Sequence, residues 1–183
     1  MSTPPPTSIR LTQAASILIS TLASGSSIAL STLLIPRLLE SPTPLMVRQW
    51  TNSYNVTKLI FPFLGNLSTV LYLTLAGHYH TRLSAGTRGA LYLAAGALCL
   101  SVTPYTWAFV IPLNKRILRK AEEMKGLEGK RLEEMEAMDL EEEGVGPRGE
   151  EGAKWLVDQW GVWNLGRGVA WGVAGVLGLA ATV

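Results

Sequence analysis

Arg167 stands almost alone in an apolar stretch, and the residues spaced around it could present a ligand with donors and flat surface together. Trp160, Asn164, Arg167 and Trp171 follow one another at intervals of four, three and four. On a helix turning about 100° per residue these fall on one face. From Gly168 to Val183 the chain carries no charge, but that segment is shorter than the about 20 residues a bilayer core requires. The last span must therefore begin near Asn164 and take Arg167 with it. An ionisable group inside a membrane is costly, usually faces protein, and marks a functional site by default. The plain alternative is that Arg167, roughly 4.5 Å below the boundary at about 1.5 Å per residue, snorkels to the headgroups. Against that, Gly161, Gly168, Gly172 and Gly175 form an adjacent stripe. Such a stripe lets another helix approach closely and would turn Arg167 towards protein.

The elements that must position these groups are membrane spans. The chain has 183 residues, 48% apolar and 16% charged. Three runs, at about 11–35, 59–77 and 89–113, are free of charge, and a fourth at about 161–183 carries only Arg167; each is long enough to cross. The expected fold is all-α: a single membrane domain over 1–183, an integral four-helix bundle with a long charged loop between helices three and four. That loop, about 115–154, starts with a helical extension over Asn114–Asp139, carries the acids of Glu133–Glu143 and ends in a Gly/Pro/Glu linker at Gly144–Gly152. It reads as a solvated spacer or as a docking surface for pathway enzymes. Of the 14 acids all but Glu40 lie between Glu122 and Asp158, so the net charge of +2 describes an insert in a membrane protein and no nucleic-acid binder.

Four spans put both termini and the short Gly77–Arg88 turn on one side. The other side holds a loop from about Arg37 to Lys58 and the long connection, with Arg37, Arg48, Lys58, Lys115, Arg116, Arg119, Lys120 and Lys154 near the membrane. The positive-inside bias puts both long loops in the cytoplasm. This topology sorts the remaining candidates. Gln49, Trp50 and Tyr54 in the first long loop, Thr106 and Asn114 near the third helix's end, and Trp160, Asn164 and Arg167 at the fourth helix's start can converge near one boundary. The tryptophans could equally be interfacial anchors, although a flat aromatic ligand would use the same rings for stacking. Thr103-Pro104-Tyr105-Thr106, with Pro112 beyond it, interrupts the third span. That reads as a kink, a widened polar cavity, or both. His78 and His80 fall at the opposite end and are discounted as bases.

Cys99 is the one cysteine, so no intrachain disulfide forms, and two histidines make no cluster for zinc or iron. There is no Gly-rich phosphate loop, dinucleotide fingerprint or hydrolase elbow. An enzyme built on this chain is expected to work without a metal or a tightly held cofactor.

These residues resemble the anthrone oxygenase-like family of small four-helix membrane proteins. The resemblance runs from about Ala14 to Leu179. It is carried by Gln49-Trp50 with Tyr54 and Pro62, by Tyr92, by Pro104-Tyr105-Thr106 with Pro112 and Asn114, and by Trp160, Asn164 and Arg167. It implies a membrane-bound, cofactor-independent oxygenase that oxidises an anthrone-type aromatic polyketide to an anthraquinone with O2 as co-substrate. It also implies a place in secondary metabolism, in the endoplasmic reticulum or another endomembrane. On that reading Arg167 and Asn164 hold an oxyanion, Trp50 and Trp160 stack on the rings, and Gln49 or Tyr54 orients the substrate. Thr106 and Asn114 complete the pocket, and Asp158 stands near its mouth as a candidate base. Two other classes stay open. One is a non-oxidative cyclase, isomerase or epoxide hydrolase. The other is a non-catalytic four-helix protein that binds lipid or scaffolds a pathway.

Overall fold

A computed structural model describes residues 5–80, 86–125, 134 and 152–183. Among these the chain is helical, with four helices long and apolar enough to cross a membrane: α1 (Thr7–Leu39), α2 (Thr43–His80), α3 (Gly86–Glu123) and α4 (Ala153–Thr182). It is an all-α, integral membrane protein. Large apolar side chains such as Leu18, Phe63, Leu93 and Val176 stay exposed, the outer surface a lipid-facing helix requires.

Every helix exceeds its expected span, and one excess is a correction. Gln49, Trp50 and Tyr54 lie on α2, not in a loop. The break between α1 and α2 shrinks to the few residues around Ser41-Pro42. Ser41 precedes a proline, which disfavours helix, whereas Pro44 falls in the first turn of α2, where its missing N–H costs nothing. Arg48 and Lys58 end an apolar run without ending a helix. Thr106 and Asn114 likewise sit within α3, which continues past them to Glu123, and Trp160 and Asn164 lie two to three turns into α4. The expected extension over Asn114–Asp139 is helical to Glu123; most of the rest of the insert, including the acidic run and the linker to Glu151, lies outside the described residues.

Two helices contain one wide π-helical turn each, Leu30–Leu34 in α1 and Thr106–Val110 in α3. Each is followed by an α segment with proline in its first turn, Pro36 and Pro112. A proline ring crowds the carbonyl four residues back and cannot donate to it. Widening the preceding turn relieves that crowding, and such turns are frequent at functional sites. In α3 the wide turn falls between Pro104 and Pro112, within the interrupted span.

The chain forms two compact units, each containing a piece of all four helices. The first comprises Met1–Ser26, Ile60–Tyr105 and Arg167–Val183, the second Ser27–Leu59 and Thr106–Gly166. In the first unit, small residues allow close approach. Ser24 Oγ donates to the Gly168 carbonyl at 2.7 Å. A β-carbon would lie 2.8 Å from that Oγ at Gly172 and 2.7 Å from Thr21 Cγ2 at Gly175. Such contacts and interhelical hydrogen bonds replace the hydrophobic effect as the glue between helices in lipid. A buried polar group lies further along α1: Gln13 Nε2 donates to Tyr79 Oη at 3.1 Å and Tyr92 Oη at 2.8 Å, and Ser20 Oγ pairs with Tyr72 Oη at 2.8 Å. Gly178 packs on that last pair, where a β-carbon would lie 2.7 Å from Tyr72 Oη. Gly178→Ala should therefore lower thermal stability in detergent by about 1–3 kcal/mol through overpacking.

Candidate functional site

In the second unit, α2, α3 and α4 bring a cluster of rings and amides together. Trp50 is 1% exposed. It stacks on Tyr54, one turn on, at 5.2 Å between centroids and 5° between planes, and meets Trp160 edge-on at 5.7 Å. Its Nε1 is buried with no hydrogen-bond partner, although a buried indole N–H normally finds an acceptor. Trp160 does find one, donating from Nε1 to Asn114 Oδ1 at 2.8 Å. Asn114 and Trp160 thus hold each other, fixing the Trp160 ring where it meets Trp50. Gln49 is half-buried and accepts a long hydrogen bond from Ser41 Oγ at 3.4 Å. Thr106, half-buried, opens the wide turn of α3. Asp158 is exposed.

Asn164 is fully buried, and its amide is committed. Nδ2 donates to the Ser27 carbonyl and to Ser31 Oγ, each at 2.8 Å, while Ser27 Oγ donates back to the Asn164 carbonyl at 3.1 Å. An amide group has two N–H donors, so both have acceptors within the protein. This interlock ties α4 to α1. Gly161, three residues earlier, leaves room for Ile35, which would stand 3.2 Å from a β-carbon there.

Arg167 belongs to the first unit and is 8% exposed, so it faces protein rather than lipid. Its guanidinium carbon lies 5.2 Å from the centre of the Phe61 ring, a distance at which the ring face attracts a cation. Phe61 in turn stacks on Trp171 at 5.8 Å and 19°. Trp171 is 2% exposed and covers Gly65, where a β-carbon would touch the indole at 3.1 Å. A side chain at 65 would press on the indole that stacks on Phe61. The first unit therefore holds a buried guanidinium against two stacked rings, a setting that can receive a negatively charged oxygen on a flat molecule.

Some of these partners escape a reading of the sequence. Phe61, Gly65 and Ser68 fall on one face of α2 by their spacing, but nothing in an apolar run says that this face meets Arg167. The serines of α1 at 16, 20, 24, 27 and 31 recur every three or four residues, a stripe that could have been read as a polar seam. Among the described residues, no three His, Cys, Asp or Glu side chains gather as a metal site would require.

Comparison with known proteins gives a consistent likeness. The family profile described as anthrone oxygenase matches residues 50–177, a stretch that starts at Trp50 and includes Thr106, Asn114, Trp160, Asn164 and Arg167. An anthrone oxygenase of Claviceps purpurea (strain 20.1) is 31% identical over 120 residues, 64% of this chain and 66% of the relative, so the chain spans just under two thirds of that protein. Anthrone oxygenase AgnL2 of Paecilomyces divaricatus is 30% identical over 134 residues, 71% of this chain and 76% of its own length. An anthrone oxygenase of Emericella nidulans is 30% identical over 93 residues, 50% of this chain and 47% of the relative. No solved structure matches the chain.

Proposed function

The chain belongs to the anthrone oxygenase family, and from that premise we propose that it is a membrane monooxygenase converting an anthrone-type aromatic polyketide to the anthraquinone with O2. The observation that carries the proposal is Arg167, buried with its guanidinium over Phe61 and Phe61 stacked on Trp171.

The chemistry makes modest demands. The methylene of an anthrone is acidified by the ring carbonyl across from it. Loss of that proton gives an aromatic enolate whose charge rests on the former carbonyl oxygen. The enolate passes one electron to O2, and the resulting radical and superoxide combine at the same carbon. Loss of water from the peroxide leaves the second carbonyl. One anthrone and one O2 give one quinone and one water, with no other reductant or oxidant, so no flavin or metal is needed. The protein's share is to bind the rings away from water and to stabilise the enolate oxygen.

Arg167 is assigned the second task. A guanidinium is always charged and carries donors in a fixed fork suited to an oxyanion. In an apolar setting its field is weakened little by water. Phe61 and Trp171, the stacked pair beside it, are assigned to the flat rings; the aromatic cluster of the second unit, Trp50 with Tyr54 and Trp160, is a separate set of rings suited to a flat apolar molecule. The committed amide of Asn164 and the exposed carboxylate of Asp158 have weaker claims to contact with the reacting atoms. We further assign the protein to the endoplasmic reticulum or a related endomembrane. The basic residues from Arg37 to Lys58 and from Lys115 to Lys154 then face the cytoplasm.

The test is O2 uptake by microsomes containing the full chain, with an anthrone added. Uptake that depends on both protein and anthrone, matched by anthraquinone formation, is the expected result. Substrate consumed without O2 uptake would instead indicate a cyclase, isomerase or hydrolase.

A further inference from the structure

Many hydroxyls of the membrane helices follow one habit, while Ser24 and Ser27 donate across to carbonyls of α4. Ser16, Ser20, Thr21, Thr69 and Thr74 each donate to a backbone carbonyl three or four residues earlier, the usual way a hydroxyl is satisfied inside a helix. Ser68 breaks it. The residue is fully buried, yet its Oγ has no partner, although the Leu64 carbonyl lies one turn back on the same helix.

Trp171 is a second exception. Its Nε1 is buried with no acceptor, as is that of Trp50 in the other unit, whereas Trp160 gives its N–H to Asn114. Ser68 and Trp171 are close. Trp171 stacks on Phe61, and its Nε1 would stand 3.5 Å from a β-carbon at Gly65. Ser68 is the next residue on that face of α2, and β-carbons three apart on a helix are about 5–6 Å from one another. Two unfilled groups, one a donor only and one a donor or acceptor, thus lie within about a turn of each other, across α2 and α4. A buried polar group left without a partner costs about 1–3 kcal/mol. Two together in one apolar region mark a place where a ligand atom completes the bonds.

The surroundings define the atom. Trp171 can only donate, so the ligand must accept. Arg167 lies one turn before Trp171 and over Phe61, adding positive charge. Phe61 and Trp171 form a stacked pair of rings beside it, which suits a planar neighbour. We infer that Ser68 Oγ and Trp171 Nε1 form an oxygen-binding subsite for the carbonyl or phenolate oxygen of a polycyclic aromatic. The inference rests on the reading of Arg167 as the oxyanion partner and adds two residues that select oxygenated rings over bare ones.

Binding without turnover tests it. The full chain in lipid nanodiscs is titrated with anthraquinone and with anthracene, which share a ring skeleton but differ in their oxygens, and binding to empty nanodiscs is subtracted. Wild type should prefer anthraquinone. Ser68→Ala and Trp171→Phe should each lower that preference by about three- to tenfold, and Ser68→Ala should leave anthracene binding unchanged. Ser68→Ala, the milder change, should melt no lower than wild type, since it removes an unsatisfied buried group. A wild type without the preference, or variants that keep it, overturns the subsite. Anthrone oxidation measured in parallel separates the two readings. Turnover with an undiminished preference in both variants defeats the subsite alone. A preference lost in the variants, with no anthrone turnover by wild type, defeats the oxygenase reading and leaves the subsite standing.

Discussion

Arg167→Leu should reduce kcat/KM for anthrone oxidation by about 10²–10³, the loss seen when an enzyme loses one preorganised donor to a developing oxyanion. The physical reason is the charge. The enolate concentrates negative charge on one oxygen, and a guanidinium in an apolar setting stabilises it before any solvent has to reorganise. Arg167→Lys should fall between the two, since an ammonium keeps the charge but loses the planar fork. Folded protein should not fall in parallel. Leucine in the same place, over Phe61 and beside Trp171, removes the desolvation penalty of a buried cation, so the amount in the membrane and its melting temperature should hold or rise. Activity lost at undiminished protein level separates a role in chemistry from a role in folding. A snorkelling arginine would give neither effect. The assay is anthraquinone formation in microsomes matched for protein, and unchanged turnover there would remove Arg167 from the mechanism.

Asn164→Leu should give the opposite pattern. Asn164 is fully buried, bonded by Nδ2 to the Ser27 carbonyl and Ser31 Oγ, and by its own carbonyl to Ser27 Oγ. Leucine removes the two side-chain bonds at about 0.5–1.5 kcal/mol each. It also forces a branched side chain into a space shaped for a flat amide, adding about 1–3 kcal/mol. The sum, about 2–6 kcal/mol, is large beside the stability of most domains. Thermal melting of the detergent-solubilised variant should show it as a marked fall. Turnover per folded molecule should stay within severalfold of wild type, because the amide hydrogens are already committed inside the protein. A folded, stable variant with turnover as low as that of Arg167→Leu would reverse the assignment and return Asn164 to the oxyanion.

How much of this could be read from the residues differs from helix to helix. The four spans follow from gaps in charge, and the absence of charge over Leu11–Ile35 or Leu59–Gly77 has one economical explanation in a protein. Helix length does not follow from those gaps. Arg48, Asn52 and Lys58 end an apolar run, but helix propensity is indifferent to them, and α2 continues back to Thr43. Pro42 and Pro44 look like a loop and serve as a helix start. The face of α4 that carries Trp160, Asn164, Arg167 and Trp171 is legible because it is periodic and polar in an apolar setting. Its partners are less so. Ser27 and Ser31 are single hydroxyls in a serine-rich helix. Phe61 is one apolar residue among many, and a lone buried serine such as Ser68 has no sequence signature at all. Helix propensity and spacing state which residues share a face, but only packing states which faces meet.

The most direct measurement follows the oxygen atoms. Purified full chain in nanodiscs is supplied with an anthrone under isotopically heavy dioxygen in ordinary water, and the anthraquinone is weighed by mass spectrometry. Protein-dependent product should carry one heavy oxygen atom, with one O2 consumed for each quinone formed and the other heavy atom in water. Quinone that forms at the rate of the protein-free control, or that takes its new oxygen from ordinary water, would contradict the oxygenase assignment.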